Sequence, residues 1–279
     1  MEIRSFAESI VLGKTITAKL APVPRRMLDR HPRPAQLPSQ PGRPLSLRIR
    51  PIAEVPSTPS IEGMSDPRQR ARIVHAMANH ELQAVELYAW ALLAFPDAEA
   101  DFRADLLKVL GDEQRHTRMY MSRAEALGQP FGSLPVTGYF WNKLPAMRTP
   151  LGFVCAMALT FENANLDFTL DYAAAAREAG DAATAQVIDK VHLDEQRHVA
   201  FGWKWLGRLK EEQQSMWEAF NANIDWPLRP SLARGVNFHA SGREAAGLDP
   251  EFIRLLESDQ SDLGREGGRR RTSDRKVGA

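Results

Sequence analysis

The sequence predicts an all-α protein: a four-helix bundle with a Pro-rich N-terminal arm and an extra C-terminal helical segment. A nine-residue pattern, KVxxDEQRH, occurs twice, at 108–116 and at 190–198. Upstream of each copy stands another glutamate: Glu81 precedes Glu113 by 32 residues and Glu162 precedes Glu195 by 33, about one helix, a turn and a returning helix. Around each of these glutamates, apolar residues recur at helical spacing between recognisable start and stop signals. Two helical hairpins, A with B and C with D, related by an approximate internal twofold, satisfy all three observations.

Residues 1–21 can form a short amphipathic helix with Ile3, Phe6, Ile10 and Val11 on one side. Ten prolines then fall between Pro22 and Pro59, which forbids regular helix and favours an extended path. Leu37, Leu45, Leu47 and Ile49 interrupt them, so this arm, part of residues 1–64, is expected to lie along the bundle rather than hang free.

The bundle itself is expected over 65–224. Ser65-Asp66-Pro67 starts helix A, which runs to Phe95 before Pro96 and carries Glu81 in its apolar stripe, with Glu86 rotated away. Helix B runs from Ala98 to Leu127 and closes at Gly128, burying Glu113, His116 and Tyr120. A loop holding Phe131, Tyr139, Phe140 and Trp141 is long enough to cross back over the bundle and cover one end of the site. Helix C spans Thr149 to Ala179, with Phe161, Asn165, Phe168 and Tyr172 beside Glu162 and with Asp167 and Asp171 turned away. Helix D starts near Asp181, directs His192, Glu195 and His198 inward, and continues with breaks toward Asn223.

A C-terminal extension over 225–258 contains a capped start at Asp249-Pro250-Glu251 and is expected to pack on the outside. The Gly- and Arg-rich stretch 259–279 reads as a disordered basic tail.

Composition narrows the function classes. With 36 basic and 35 acidic residues the formal charge is +1, which gives no support for nucleic acid or an anionic membrane as partner. The single cysteine, Cys155, excludes a disulfide framework and a built-in iron–sulfur relay, and points to a reducing cytoplasm. No secretory signal is recognisable, and the longest apolar stretch, 151–161, is too short to span a bilayer.

Residues three apart on a helix lie on one face, so Glu113 with His116, and Glu195 with His198, each aim two ligands at one spot. Four glutamates on facing apolar stripes would be costly without compensation, because even one unpaired buried carboxylate costs several kcal/mol. Two divalent cations about 3.5–4 Å apart would neutralise the set Glu81, Glu113, His116, Glu162, Glu195 and His198. This pattern, two single glutamates plus two Glu-x-x-His pairs on four inward faces, is the one used by di-iron and di-manganese carboxylate bundles. Iron is the expected metal and manganese the alternative.

His192, one turn before Glu195, is an additional ligand, a hydrogen-bond partner of a ligand, or a core histidine. His75 and His80 are expected at the periphery. Arg115 and Arg197 point off the ligand face toward Asp112 and Asp194. Tyr88, Tyr120, Phe161 and Phe168 are candidates for the wall of a substrate cavity, with ordinary core packing as the other reading.

The segments PGRP at 41–44, HELQAVEL at 80–87, AFPD at 94–97, the two DEQRH copies, FENANLD at 161–167 and GREAAGLDPEFI at 242–253 give the chain a resemblance to the ferritin-like superfamily. They are most similar to a bacterial ferritin-like family of unknown function. The resemblance covers all but the basic tail. It implies a di-iron-type bundle with Glu81, Glu113, His116, Glu162, Glu195 and His198 as ligands and no established substrate. Glu81, Ala84 and Tyr88 resemble the Glu-x-x-Ala-x-x-x-Tyr helix of rubrerythrins and ferritins. In helix C, Asn165 and Thr169 replace that alanine and tyrosine. A more distant likeness is to the di-iron tRNA hydroxylase.

The expected reaction is O₂-dependent oxidation or hydroxylation of a small organic substrate, with electrons from an external donor and a homodimer as one possible assembly. The alternatives are ferroxidase or iron-handling activity and a metal-stabilised binding module without catalysis.

Overall fold

The computed structural model describes residues 1–30 and 37–259. Helix α1 (Ile3–Val11) buries Ile3, Phe6, Ala7, Ile10 and Val11 against the rest of the chain. Thr15 caps the short α2 (Ile16–Lys19). Asp66 then accepts hydrogen bonds from the backbone of Arg68 and Gln69 and, with proline in the first turn, starts α3 (Pro67–Ala94). After a brief turn, α4 (Ala100–Ala126) returns and stops where Gly128 takes φ +80°, a left-handed conformation open to glycine.

The loop after α4 includes a 3₁₀ turn, Trp141–Ala146, before Thr149 caps α5 (Pro150–Ala156). The helix continues through a π segment, Met157–Glu162, into α6 (Asn163–Glu178). Asp181 caps α7 (Ala182–Leu209). Three shorter helices follow: α8 (Met216–Ala222), closed by a Ser215–Glu218 capping box, α9 (Ala240–Ala245) and α10 (Pro250–Ser258), capped by Asp249. The described residues thus form an all-α structure of ten helices with no strand. None of these helices is long and apolar enough to cross a membrane.

Helices α3 and α4 pack as one long pair and α6 and α7 as another, and α4 joins the pairs by packing on α7. Gly202 of α7 lies so close to the π segment that a Cβ there would stand 2.6 Å from the Ala158 methyl. A continuous apolar core runs from Ile3 through the long helices to Leu256.

The structure modifies several expectations. Glu86 does point away from the other glutamates, but it is fully buried. Its carboxylate meets Lys19 at 3.0 Å and Arg43 at 2.7 Å, and accepts a 2.9 Å hydrogen bond from the Trp141 indole. The arm is therefore anchored chiefly by charge. Of the four apolar anchors, Leu47 is buried and Ile49 partly so, whereas Leu37 and Leu45 are exposed.

Asp167 is likewise buried, paired with Arg243 at 2.7 Å where both side chains are fully enclosed. Phe168, expected inside, is 40% exposed. Asp167 does turn away from the clustered glutamates, but the C-terminal extension covers it, and the backbone N–H groups of Gly235 and His239 also donate to its carboxylate. The C-terminal extension is also more than an outer layer, because Phe252, Ile253 and Leu256 enter the main core. The basic tail from residue 260 lies outside the described residues.

Candidate metal centre

Six side chains from the four long helical segments converge inside the bundle. Glu81 comes from α3, Glu113 and His116 from successive turns of α4, Glu162 from the end of the π segment, and Glu195 and His198 from successive turns of α7. All are buried. They form two overlapping groups, Glu81–Glu113–His116–Glu195 and Glu113–Glu162–Glu195–His198, whose ligand atoms lie within 4.8 Å of one another. His116 Nδ1 is 3.4 Å from Glu81 and 3.7 Å from Glu113; His198 Nδ1 is 3.0 Å from Glu113 and 3.5 Å from Glu195.

Each imidazole turns its other nitrogen outward to an aspartate of the opposite repeat. His116 Nε2 donates to Asp194 at 3.0 Å, and His198 Nε2 lies 3.4 Å from Asp112. A proton held at Nε2 leaves a lone pair on Nδ1, aimed at carboxylate oxygens. Nδ1 of both histidines, Glu113 Oε1, Glu162 Oε2 and Glu195 Oε2 are buried without a hydrogen-bond partner. Acceptors facing acceptors in a dry interior need a cation between them. The donor set of carboxylate oxygens and imidazole nitrogens therefore fits a pair of divalent metal ions.

Without metal, protons take over part of that compensation. Burial, reinforced by the Glu113 charge, holds the Glu81 carboxyl well above the usual carboxylate range, and burial pushes Glu162 up to about 8. Burial alone would favour neutral imidazoles, but the hydrogen bond to Asp194 and the facing carboxylates of Glu113 and Glu81 raise His116 well above its ordinary value. Asp112, Glu113 and Glu195 do the same for His198.

Further contacts fix the carboxylates. Tyr88 donates a 2.6 Å hydrogen bond to Glu162, and Asn165 donates to Glu195 at 3.2 Å. Arg115 bridges Asp112 and Asp194, and Arg197 also pairs with both. His192 stands outside both ligand groups: its Nδ1 meets Thr169 Oγ1 at 2.8 Å and its Nε2 meets the Gln196 amide at 3.1 Å.

A family model described as "Protein of unknown function (DUF455)" matches residues 4–254. The chain belongs to the DUF455 family. No curated protein and no solved structure matches it. The DUF455 match spans every helix that contributes to the cluster, so all six side chains lie within the matched region.

In this DUF455 chain a cavity of about 220 Å³ reaches the cluster at Glu81. Its apolar wall is made by Ile73, Met77, Phe140, Phe168 and Tyr172, and polar groups enter from Asn165, Thr169 and Tyr120. Thr58 of the arm and His80, both exposed, also line it. Of the aromatic residues proposed for a wall, Tyr120 and Phe168 line it. Phe161 stacks behind it on Phe140 at 4.6 Å, and Tyr88 lies deeper, against Glu162. His75, by contrast, is a buried core histidine whose Nε2 accepts from the Gly132 backbone.

The aspartates of the two repeats are the partners that sequence reasoning missed. The signal was present, since Asp recurs in both DEQRH copies. Their arginine neighbours supplied a sufficient surface role, and the link to the opposite histidine appears only when α4 faces α7.

Proposed function

We propose that the protein is a ferritin-like di-iron carboxylate oxidoreductase that uses O₂ to oxidise or hydroxylate a small organic substrate. The observation that carries this reading is the cavity ending at Glu81, because a metal site serving only as a structural staple has no use for an approach lined by apolar side chains. Glu81, Glu113, His116, Glu162, Glu195 and His198 would hold the metals. Bound iron would supply the one-electron chemistry that O₂ activation requires.

The chain's own residues then have definable tasks. Asp112 and Asp194 keep the imidazole protons on Nε2, and Tyr88 and Asn165 orient Glu162 and Glu195. The apolar wall keeps bulk water from the substrate. Hydroxylation inserts one oxygen atom into a C–H bond and reduces the other to water, consuming two electrons and two protons. Cys155, the only cysteine, is buried and builds no electron relay, so an external donor supplies the electrons.

Elemental analysis after aerobic iron loading tests the reading. About two irons per chain are expected, with O₂ uptake only when reductant and substrate are added. Full metal content in a Glu162→Ala, His198→Ala double variant would remove these residues as ligands. A hollow shell mineralising many irons per chain would favour iron storage instead.

A further inference from the structure

The cavity beside Glu81 contains a group that the metal reading does not use. Tyr120 lies two helical turns along from Glu113 on α4, lines the cavity, and is only 2% exposed. Its hydroxyl makes no hydrogen bond to the described residues and is not among the sealed, unpartnered buried atoms, so it is open to the cavity that the residue lines. Such a group beside an apolar cavity is placed to donate to whatever enters.

We propose that this cavity is the binding site of a small, uncharged, mainly apolar molecule with a hydrogen-bond acceptor, which Tyr120 engages. Calling that molecule the substrate rests on the di-metal oxidoreductase reading; the binding itself does not. Size sets the first limit. At the packing density of a protein interior, about 220 Å³ holds roughly ten non-hydrogen atoms, a single substituted ring or a short branched chain.

Charge sets the second limit. Among the described residues no lysine or arginine lines the cavity, so its side chains offer an anion no counterion, and the carboxylate that does line it, Glu81, belongs to the metal cluster. Asn165 is similarly committed, donating to Glu195, and Thr169 is engaged with the Asn165 carbonyl and His192. Thr58 and His80 are exposed and Tyr172 is half-buried, so Tyr120 is the uncommitted donor in the buried part of the cavity.

Acetophenone, cumene and benzoate, which have nearly the same size, separate these contributions. Their binding to the full-length, metal-loaded protein is measured by calorimetry, with metal content determined on the same samples. Acetophenone is expected to bind about fivefold to tenfold more tightly than cumene, the worth of one hydrogen bond, and more tightly than benzoate. Tyr120→Phe should erase the preference over cumene while leaving cumene affinity unchanged, a result that a merely structural role of Tyr120 would not produce. Ala76→Trp, which fills the cavity from a half-buried position on α3, should abolish binding of both neutral probes with metal content retained.

Undiminished binding in Ala76→Trp, a preference that survives Tyr120→Phe, or benzoate binding as tightly as acetophenone would each overturn the assignment. A wild-type chain that binds acetophenone in this pattern but takes up no metal would uphold the cavity assignment and overturn the di-metal reading.

Discussion

Asp194 of the second DEQRH copy accepts a 3.0 Å hydrogen bond from His116 of the first, and Asp112 of the first copy faces His198 of the second at 3.4 Å. The duplication is thus interlocked: neither copy has a fully oriented histidine without the other. Asp194 also receives Arg115 and Arg197, which fix its carboxylate in turn. Asp194→Asn keeps the shape and removes the charge. Metal affinity should fall about 10- to 100-fold, as it does when such an outer carboxylate is lost elsewhere. Competition against a chromophoric chelator measures this, and an unchanged affinity would mean that the aspartate serves only its arginines.

Metal uptake should release protons. In the metal-free cluster, Glu81, His116 and His198 are held well above their ordinary values and Glu162 is pushed up to about 8, so protons occupy these groups at neutral pH. Ligation needs the deprotonated donors. The sign is fixed: raised values mean that protons compete with metal, so affinity climbs as pH rises toward and past 8. Calorimetric titration with manganese in two buffers of different ionisation enthalpy would show net release, and buffer-independent heats would contradict it.

Much of this architecture was legible because capping chemistry is local. Asp66-Pro67, Gly128, Thr149, Gly180, Asp181 and Asp249 mark element ends by side-chain hydrogen bonds or positive φ, which depend only on neighbours in sequence. Duplication exposed the six clustered side chains in the same way. What stayed hidden depends on partners far along the chain. Asp167 finds Arg243 in the C-terminal extension, and Glu86 finds Lys19 and Arg43 more than forty residues upstream.

Glu86 carries its own prediction. Its carboxylate sits between two buried cations, and neutralising it leaves both uncompensated in the interior. Glu86→Gln should cost about 3–5 kcal/mol in urea unfolding, the range for breaking a buried pair by removing one partner. Because Glu86 stands outside the ligand groups, metal stoichiometry in the folded variant should be unchanged.

Acid sensitivity should arise partly from His75. Burial pushes this histidine down to about 4, against an ordinary value near 6.5. Between those values the unfolded chain binds a proton that the folded chain refuses, so stability falls as pH drops from 6.5 toward 4 and is unaffected above 6.5. At pH 5 the loss is on the order of 2 kcal/mol relative to pH 7. In His75→Gln that component vanishes, so the urea midpoint should shift less between pH 7 and pH 5 than in the wild type; an equal shift would assign the acid sensitivity to other groups.

Gly202 and Gly207 of α7 offer a matched test of how the π segment is held. A Cβ at Gly202 would meet the Ala158 methyl at 2.6 Å and Leu159 side-chain atoms at 3.0 Å, whereas at Gly207 the nearest atom is the flexible Met216 methyl at 3.7 Å. Ala158 and Leu159 belong to the same π segment that ends at Glu162, so pressure at Gly202 is transmitted toward a clustered carboxylate. Gly202→Ala should destabilise the protein by about 1–3 kcal/mol through overpacking, and it should weaken metal binding. Gly207→Ala, with ordinary contact distances, should instead gain up to about 1 kcal/mol from helix propensity and leave metal affinity alone. Thermal unfolding and metal competition on the two variants separate these outcomes; equal effects at both positions would show that close approach of α7 does not set the position of Glu162.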